Sequence, residues 1–164
     1  IGVRLVGSEM CIRDRYRGDA KRIQHFCKVH SYAKLIAETE NVDKKSLFII
    51  EAAALTHDIG IHFCEEKYGN CNGRLQEQEG PAIAERLLKK LGFDQEVSDR
   101  VQYLIAHHHT YNDIDAMDYQ ILVEADFLVN IMEDSLTKEA ALKAYHNIFK
   151  TACGKTICRE MFDI

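Results

Sequence analysis

Apolar residues recur along this chain at helical spacing, and two stretches are apolar on nearly every side. The first, 47–57, contains Leu47, Phe48, Ile49, Ile50, Ala52, Ala53, Ala54 and Leu55. A helix with no polar face belongs in the middle of a bundle. Asp43 or Ser46 can cap its start, and it runs into His57-Asp58-Ile59-Gly60, where Gly60 is a reasonable terminator. The second, 119–132, predicts another buried helix. Ahead of both, Asp19 can cap a helix to residue 39 or 40 that carries Arg22, Phe26, Val29, Ala33 and Ile36 on one side. The polar stretch 61–79, with Gly69 and Gly73, predicts a long loop, a kind of segment that is often functional. Pro81 fits the first turn of a helix to residue 91, closed by Gly92. Further helices are expected over 94–107 and 137–151, with a polar loop to residue 118 and a short helix closing the chain. The expected fold class is all-α, a single helical bundle of about six or seven helices.

Composition changes this picture little. The chain has 164 residues, 46% hydrophobic and 29% charged, with one Pro and nine Gly, as expected for one soluble domain built from long helices. A formal charge of -5 argues against a grip on a nucleic-acid duplex. No uninterrupted apolar run approaches the roughly 20 residues of a membrane span, and nothing reads as a signal peptide, so a cytoplasmic protein is expected. The six cysteines form no C-x-x-C pair and read as reduced thiols.

The opening residues stand apart. Residues 4–15, Arg-Leu-Val-Gly-Ser-Glu-Met-Cys-Ile-Arg-Asp-Arg, show no helical or strand period. They match the in-frame translation of a transposase-type sequencing adapter, with the core GAG ATG TGT ATA AGA GAC AG. Residues 1–15 are therefore expected to be non-native, leaving 16–164 as the domain.

Charged chemistry sits where it is costly. Asp126 lies inside the second apolar helix among Leu122, Val123, Phe127 and Val129, and His57-Asp58 ends the first. A carboxylate stripped of water costs several kcal/mol unless it is paired or ligates a metal. Histidine and aspartate are ligands for Zn, Mn, Fe or Ni, so these residues suggest a metal site assembled from separate helices. A buried polar network, or pairing of Asp126 with Arg22, is the other reading.

Three ordered motifs, carrying four matched positions, resemble the HD superfamily. Arg22-Ile23-Gln24-His25 with Val29 and Ala33 is similar to its opening R-x-x-H-x-x-x-V-x-x-x-A. Ala54-Leu55-Thr56-His57-Asp58-Ile59-Gly60 resembles its A-L-L-H-D-I-G, and Val123-Glu124-Ala125-Asp126 its closing V-x-x-A-D with a shortened gap. The resemblance spans about 19–132. It implies a divalent metal (Mn, Mg, Fe, Ni, Co or Zn) bound by His25, His57, Asp58 and Asp126. Periodicity alone leaves His30 as an alternative to His25. The resemblance further implies a phosphohydrolase acting on a small phosphorylated substrate, with nucleotides expected. Asp58 would orient or deprotonate water, and Arg22 would orient a ligand or grip phosphate.

Some members of the superfamily add two histidines for a second metal. Here Gln76 stands at the first of those positions. Glu77 or Glu79 could substitute, or simply favour a helix start. Within His107-His108-His109, His108 and His109 match the second position, as ligand or phosphate contact. Lys67 and Arg74, in the expected loop, are further candidates for phosphate. Two rival functions are a non-catalytic nucleotide-binding signalling module and a di-iron oxygenase on the same scaffold.

Overall fold

The computed structural model describes residues 2–164, among which nine helices and no strand occur. They are α1 (Gly2–Arg15), α2 (Ala20–Thr39), α3 (Lys44–Thr56), α4 (Ile61–Tyr68), α5 (Gly73–Lys90), α6 (Gln95–Ile105), α7 (Met117–Glu133), α8 (Lys138–Asn147) and α9 (Ala152–Phe162). The all-α expectation holds, and the two helices beyond the expected six or seven are α1 and α4.

The bundle centres on α3. Its residues from Phe48 through Thr56 are all buried, and it packs against α1, α2, α6 and α7. Asp43 starts it by accepting from the Lys45 and Ser46 amides, two donors that a helix's first turn leaves without intrahelical partners. Asp19 caps α2 in the same way through the Arg22 amide at 3.1 Å. The stretch Lys44–Tyr68 is long and apolar enough, by length and composition, to cross a membrane, which the absence of a long apolar run did not predict. In the fold its most apolar window is 72% buried against other helices, as in the core of a bundle.

The 61–79 loop is not a loop. It holds α4, a short turn, and the first part of α5, which starts at Gly73 with Asn72 accepting from the Leu75 amide at 3.0 Å. Pro81 therefore sits inside α5 rather than at its start. Proline there denies the Glu77 carbonyl its usual amide partner. Gly80 lies against Gly60, so close that a Cβ on Gly60 would stand 3.2 Å from the Gly80 Cα. A Cβ on Gly80 would meet Ile105 at 2.8 Å. Gly60 keeps an ordinary right-handed backbone, with φ -78°, so close approach and not helix termination is what it provides. The two glycines let α5 cross directly over the His57–Asp58 turn.

Residues 2–15 form a helix despite their missing period. Ser8 and Ile12 are buried, and the helix packs on α3. Just beyond it, the buried Tyr16 donates its hydroxyl to the Asp58 carbonyl at 2.9 Å.

Candidate metal centre

Three helices bring four side chains to one point. α2 supplies His25, the C-terminal end of α3 supplies His57, the following turn supplies Asp58, and α7 supplies Asp126. His25 Nε2 and His57 Nε2 stand 3.2 Å apart. Asp126 Oδ1 lies 3.3 Å from the first and 3.6 Å from the second. Asp58 Oδ2 lies 3.6 Å from each.

Second hydrogen bonds fix how the rings face. His57 Nδ1–H donates to the Ala54 carbonyl at 2.9 Å, and His108 Nδ1–H to the Ile105 carbonyl at 2.7 Å. His25 Nδ1–H donates to Glu133 Oε2 at 3.1 Å. Each ring thus carries its proton on the outer nitrogen and turns Nε2 inward. Two inward lone pairs 3.2 Å apart repel unless a cation lies between them.

Electrostatics supports this requirement. Burial opposes charging His25, yet Asp126, Asp58 and Glu133 outweigh it and raise its pKa to about 9. Burial likewise works against a charged His57, and Asp58 and Asp126 prevail and raise it. Burial pushes Asp58 up, but His57 and His108 hold it down at about 2. Asp126 is held well below the ordinary range by His25 and His57, against its own desolvation. Without a metal, protons supply the positive charge that these carboxylates demand.

The fit to a metal rests on one atom. Asp126 Oδ1 is the buried side-chain oxygen that, among the described residues, has no hydrogen-bond partner. It is nevertheless the oxygen aimed at the two Nε2 atoms. A lone pair left unpaired in the core is costly unless it ligates something. Two imidazoles and two carboxylates are a donor set suited to a divalent transition metal.

A second group shares Asp58. Its Oδ1 lies 3.2 Å from His108 Nε2, and Asp58, His108 and His109 lie close enough together to hold an ion. His109 is partly committed elsewhere. Burial and His108 lower its pKa to about 4, and its Nε2–H donates to Gln76 Oε1 at 2.8 Å. Gln76 thus stands beside this second group. Glu77 accepts from the His109 amide and the Thr110 hydroxyl, both at 3.0 Å, and Glu79 pairs with Lys67 and Tyr68. Neither glutamate joins the group.

The remaining candidates divide. His30 reaches Glu51 at 3.0 Å, so the geometry brings His25 and not His30 to the cluster. Arg22 lines the same cleft as His25 and Asp58, but its guanidinium binds Glu65 at 2.5 Å and Asp19 at 2.8 Å. Neither carboxylate is a candidate ligand, so Arg22 does not orient one. Lys67 is held by Glu79 at 3.0 Å beside the Phe63 and Tyr68 rings, outside that cleft. Arg74 is exposed on the first turn of α5, in no ion pair among the described residues. His107 caps its own helix through Tyr103, His62 packs at a tilt against the Tyr16 ring, and His146 is exposed.

The cleft that opens onto His25 and Asp58 has a volume of ≈ 300 Å³ and is also lined by Lys21, Asn130, Glu133 and Asp134. Sequence reasoning missed all four. For Glu133 a signal existed, because it stands seven residues beyond Asp126 and so on the same face of α7.

Residues 22–152 match the HD domain family. The chain is also similar to the crystal structure of a predicted HD superfamily hydrolase from an uncultured Thermotogales bacterium. That likeness has a TM-score of 0.69 and 25% identity, covering 95% of this chain and 83% of the other. No curated protein matches the chain.

Proposed function

The chain belongs to the HD domain family, and from that membership we propose that it is a metal-dependent phosphohydrolase acting on a nucleotide or other small phosphate ester. The observation that carries this reading is that His25, His57 and Asp58 lie close enough together to hold an ion, with the unpartnered Asp126 Oδ1 aimed at both imidazoles. A divalent metal held by these four residues would acidify a water and draw charge from a phosphoryl oxygen. The chain's own groups supply the rest. Asp58 faces both donor groups with separate oxygens, and is placed to accept a proton from a water or to orient it. Lys21 and Arg22 line the cleft, and because Arg22 is already paired with Asp19 and Glu65, Lys21 is, among the described residues, the uncommitted cation for a phosphate there. The cleft beside His25 and Asp58, of ≈ 300 Å³, is where the phosphate of such a substrate would enter.

The test is phosphate release from a panel of nucleotides and phosphate esters with Mn, Mg, Ni or Co. Activity that disappears in His57→Ala is expected. Silence across the panel in protein shown to carry metal would sink the hydrolase reading and favour a nucleotide-binding module. Two irons per chain with oxygen consumption would favour the oxygenase instead.

A further inference from the structure

We propose that Glu133 is a positioning residue of the metal centre, holding His25 in its ligating orientation and strengthening it as a donor. This rests on the metal reading above. Glu133 is a carboxylate near the end of α7 with its side chain only 10% exposed. Its two oxygens have separate partners. Oε2 accepts from His25 Nδ1–H at 3.1 Å, and Oε1 accepts from Lys28 Nζ at 3.1 Å. Lys28 follows His25 by three residues, so both partners come from one face of α2. Asp126, two turns earlier on α7, offers its oxygen to the other nitrogen of the same imidazole at 3.3 Å. Two carboxylates of a single helix thus flank the ring, Glu133 holding its outer nitrogen and Asp126 standing beside its ligating one.

The other inward-facing histidines are held differently. His57 and His108 give Nδ1–H to a carbonyl three residues back, with no charged group involved. Both are fully enclosed at 0% side-chain exposure, while His25 lines the cleft at 10%. His25 therefore has the most room to turn. A carboxylate on its outer nitrogen removes that freedom and makes Nε2 a more basic ligand, and losing such a partner weakens metal binding by roughly 10–100-fold.

The experiment measures Co(II) affinity of the metal-free full chain by competition with a chelating dye, with the visible Co(II) spectrum as a second readout. Glu133→Gln keeps shape and an acceptor but not charge, and an affinity loss of about 10-fold is expected; Glu133→Leu removes the acceptor, with a loss nearer 100-fold. Lys28→Met leaves the bond to His25 intact and is expected to bind Co(II) like the wild type. Thermal unfolding of each metal-free variant separates folding from binding. Wild-type affinity in Glu133→Leu, or an equal loss in Lys28→Met, overturns the proposal and leaves the metal centre standing. A wild-type chain that binds no Co(II), Mn(II) or Ni(II) overturns both.

Discussion

Two buried carboxylates sit two residues apart on α7 and do opposite things. Glu124 is 0% exposed and Asp126 is 3% exposed. Glu124 faces α9, where it accepts from the Lys150 amide at 2.6 Å, the Thr151 amide at 2.9 Å, the Thr151 hydroxyl at 2.5 Å and the Gln120 side chain at 2.7 Å. It ties the start of α9 to the bundle, satisfying amides that a helix N-terminus leaves free. Asp126 faces α2 and α3, and its Oδ1 has no hydrogen-bond partner at all. Burial of an acid does not by itself mark a functional site. What marks one is a buried acid whose lone pair the fold has left open, and only Asp126 meets that condition on this helix.

The largest expected effect tests this contrast at Asp126. Asp126→Asn keeps the shape and discards the charge that faces two imidazoles. Divalent metal affinity is expected to fall by more than about 100-fold, beyond the loss of an outer partner, and phosphohydrolysis to fall with it. Calorimetric titration with Mn(II) and phosphate release measure the two. Retention of both would show that the open lone pair is incidental.

The converse substitution is Glu124→Ala. It leaves two amides and a hydroxyl unpaired in the core, with an expected cost of about 3 kcal/mol in urea unfolding. Metal affinity of the folded fraction is expected to stay within about twofold of wild type, since well-separated sites act nearly independently. A variant as stable as the wild type would remove the distinction between latch and ligand.

The sequence made Asp126 legible and left Glu124 silent. Both lie in an all-round apolar stretch, but only Asp126 falls on a motif whose partners could be sought elsewhere. α2, α3 and α7 were readable because their apolar positions are dense and their caps lie where the pattern begins. α4 and the first part of α5 were not, since polar residues and Gly69, Gly73 and Pro81 suggest a loop. Gly60 against Gly80, and Gly73 against the His109 ring, are close contacts that only the assembled bundle reveals. Tyr16 on the Asp58 carbonyl and Arg22 on Glu65 likewise depend on residues more than 40 positions apart. α1 was not readable either, because residues 4–15 lack a period. Their codon match still proposes a non-native origin, and amplifying the gene from its source organism is expected to give a reading frame without these codons.

Acids at the cleft mouth extend the contrast to binding. Asp19, Glu133 and Asp134 line it with Lys21 and Arg22, and Arg22 is already held by Asp19 and Glu65. A rim with so little uncommitted positive charge should repel a polyanion more than a singly phosphorylated ester. With equal metal loading, kcat/KM for a nucleoside monophosphate is expected to exceed that for the triphosphate by about 10-fold. Asp134→Lys is expected to narrow the ratio. A triphosphate preferred by the wild type would place the productive phosphate elsewhere.

Glu51 on α3 gives the smallest and most specific refinement, because it is a third buried acid compensated in a third way. It is 5% exposed, and its Oε1 meets His30 at 3.0 Å and Lys34 at 3.2 Å. Neutral amides satisfy Glu124, whereas bases partly open to solvent satisfy Glu51. Desolvation pushes the Glu51 pKa up, but His30 and Lys34 prevail and hold it below the ordinary 4.5. A carboxyl lowered on folding contributes its stability above the unfolded pKa and loses it as pH falls through the folded one. The unfolding free energy of wild type should therefore exceed that of Glu51→Gln by about 1 kcal/mol near neutral pH. The gap should shrink as the pH falls from about 4.5 and close below the lowered folded pKa, where both side chains are neutral. Salt should shrink it too, since the Lys34 side chain is 45% exposed and its charge is open to screening. A gap that persists in acid and in salt would mean that Glu51, like Glu124, is held by its shape and hydrogen bonds rather than by its charge.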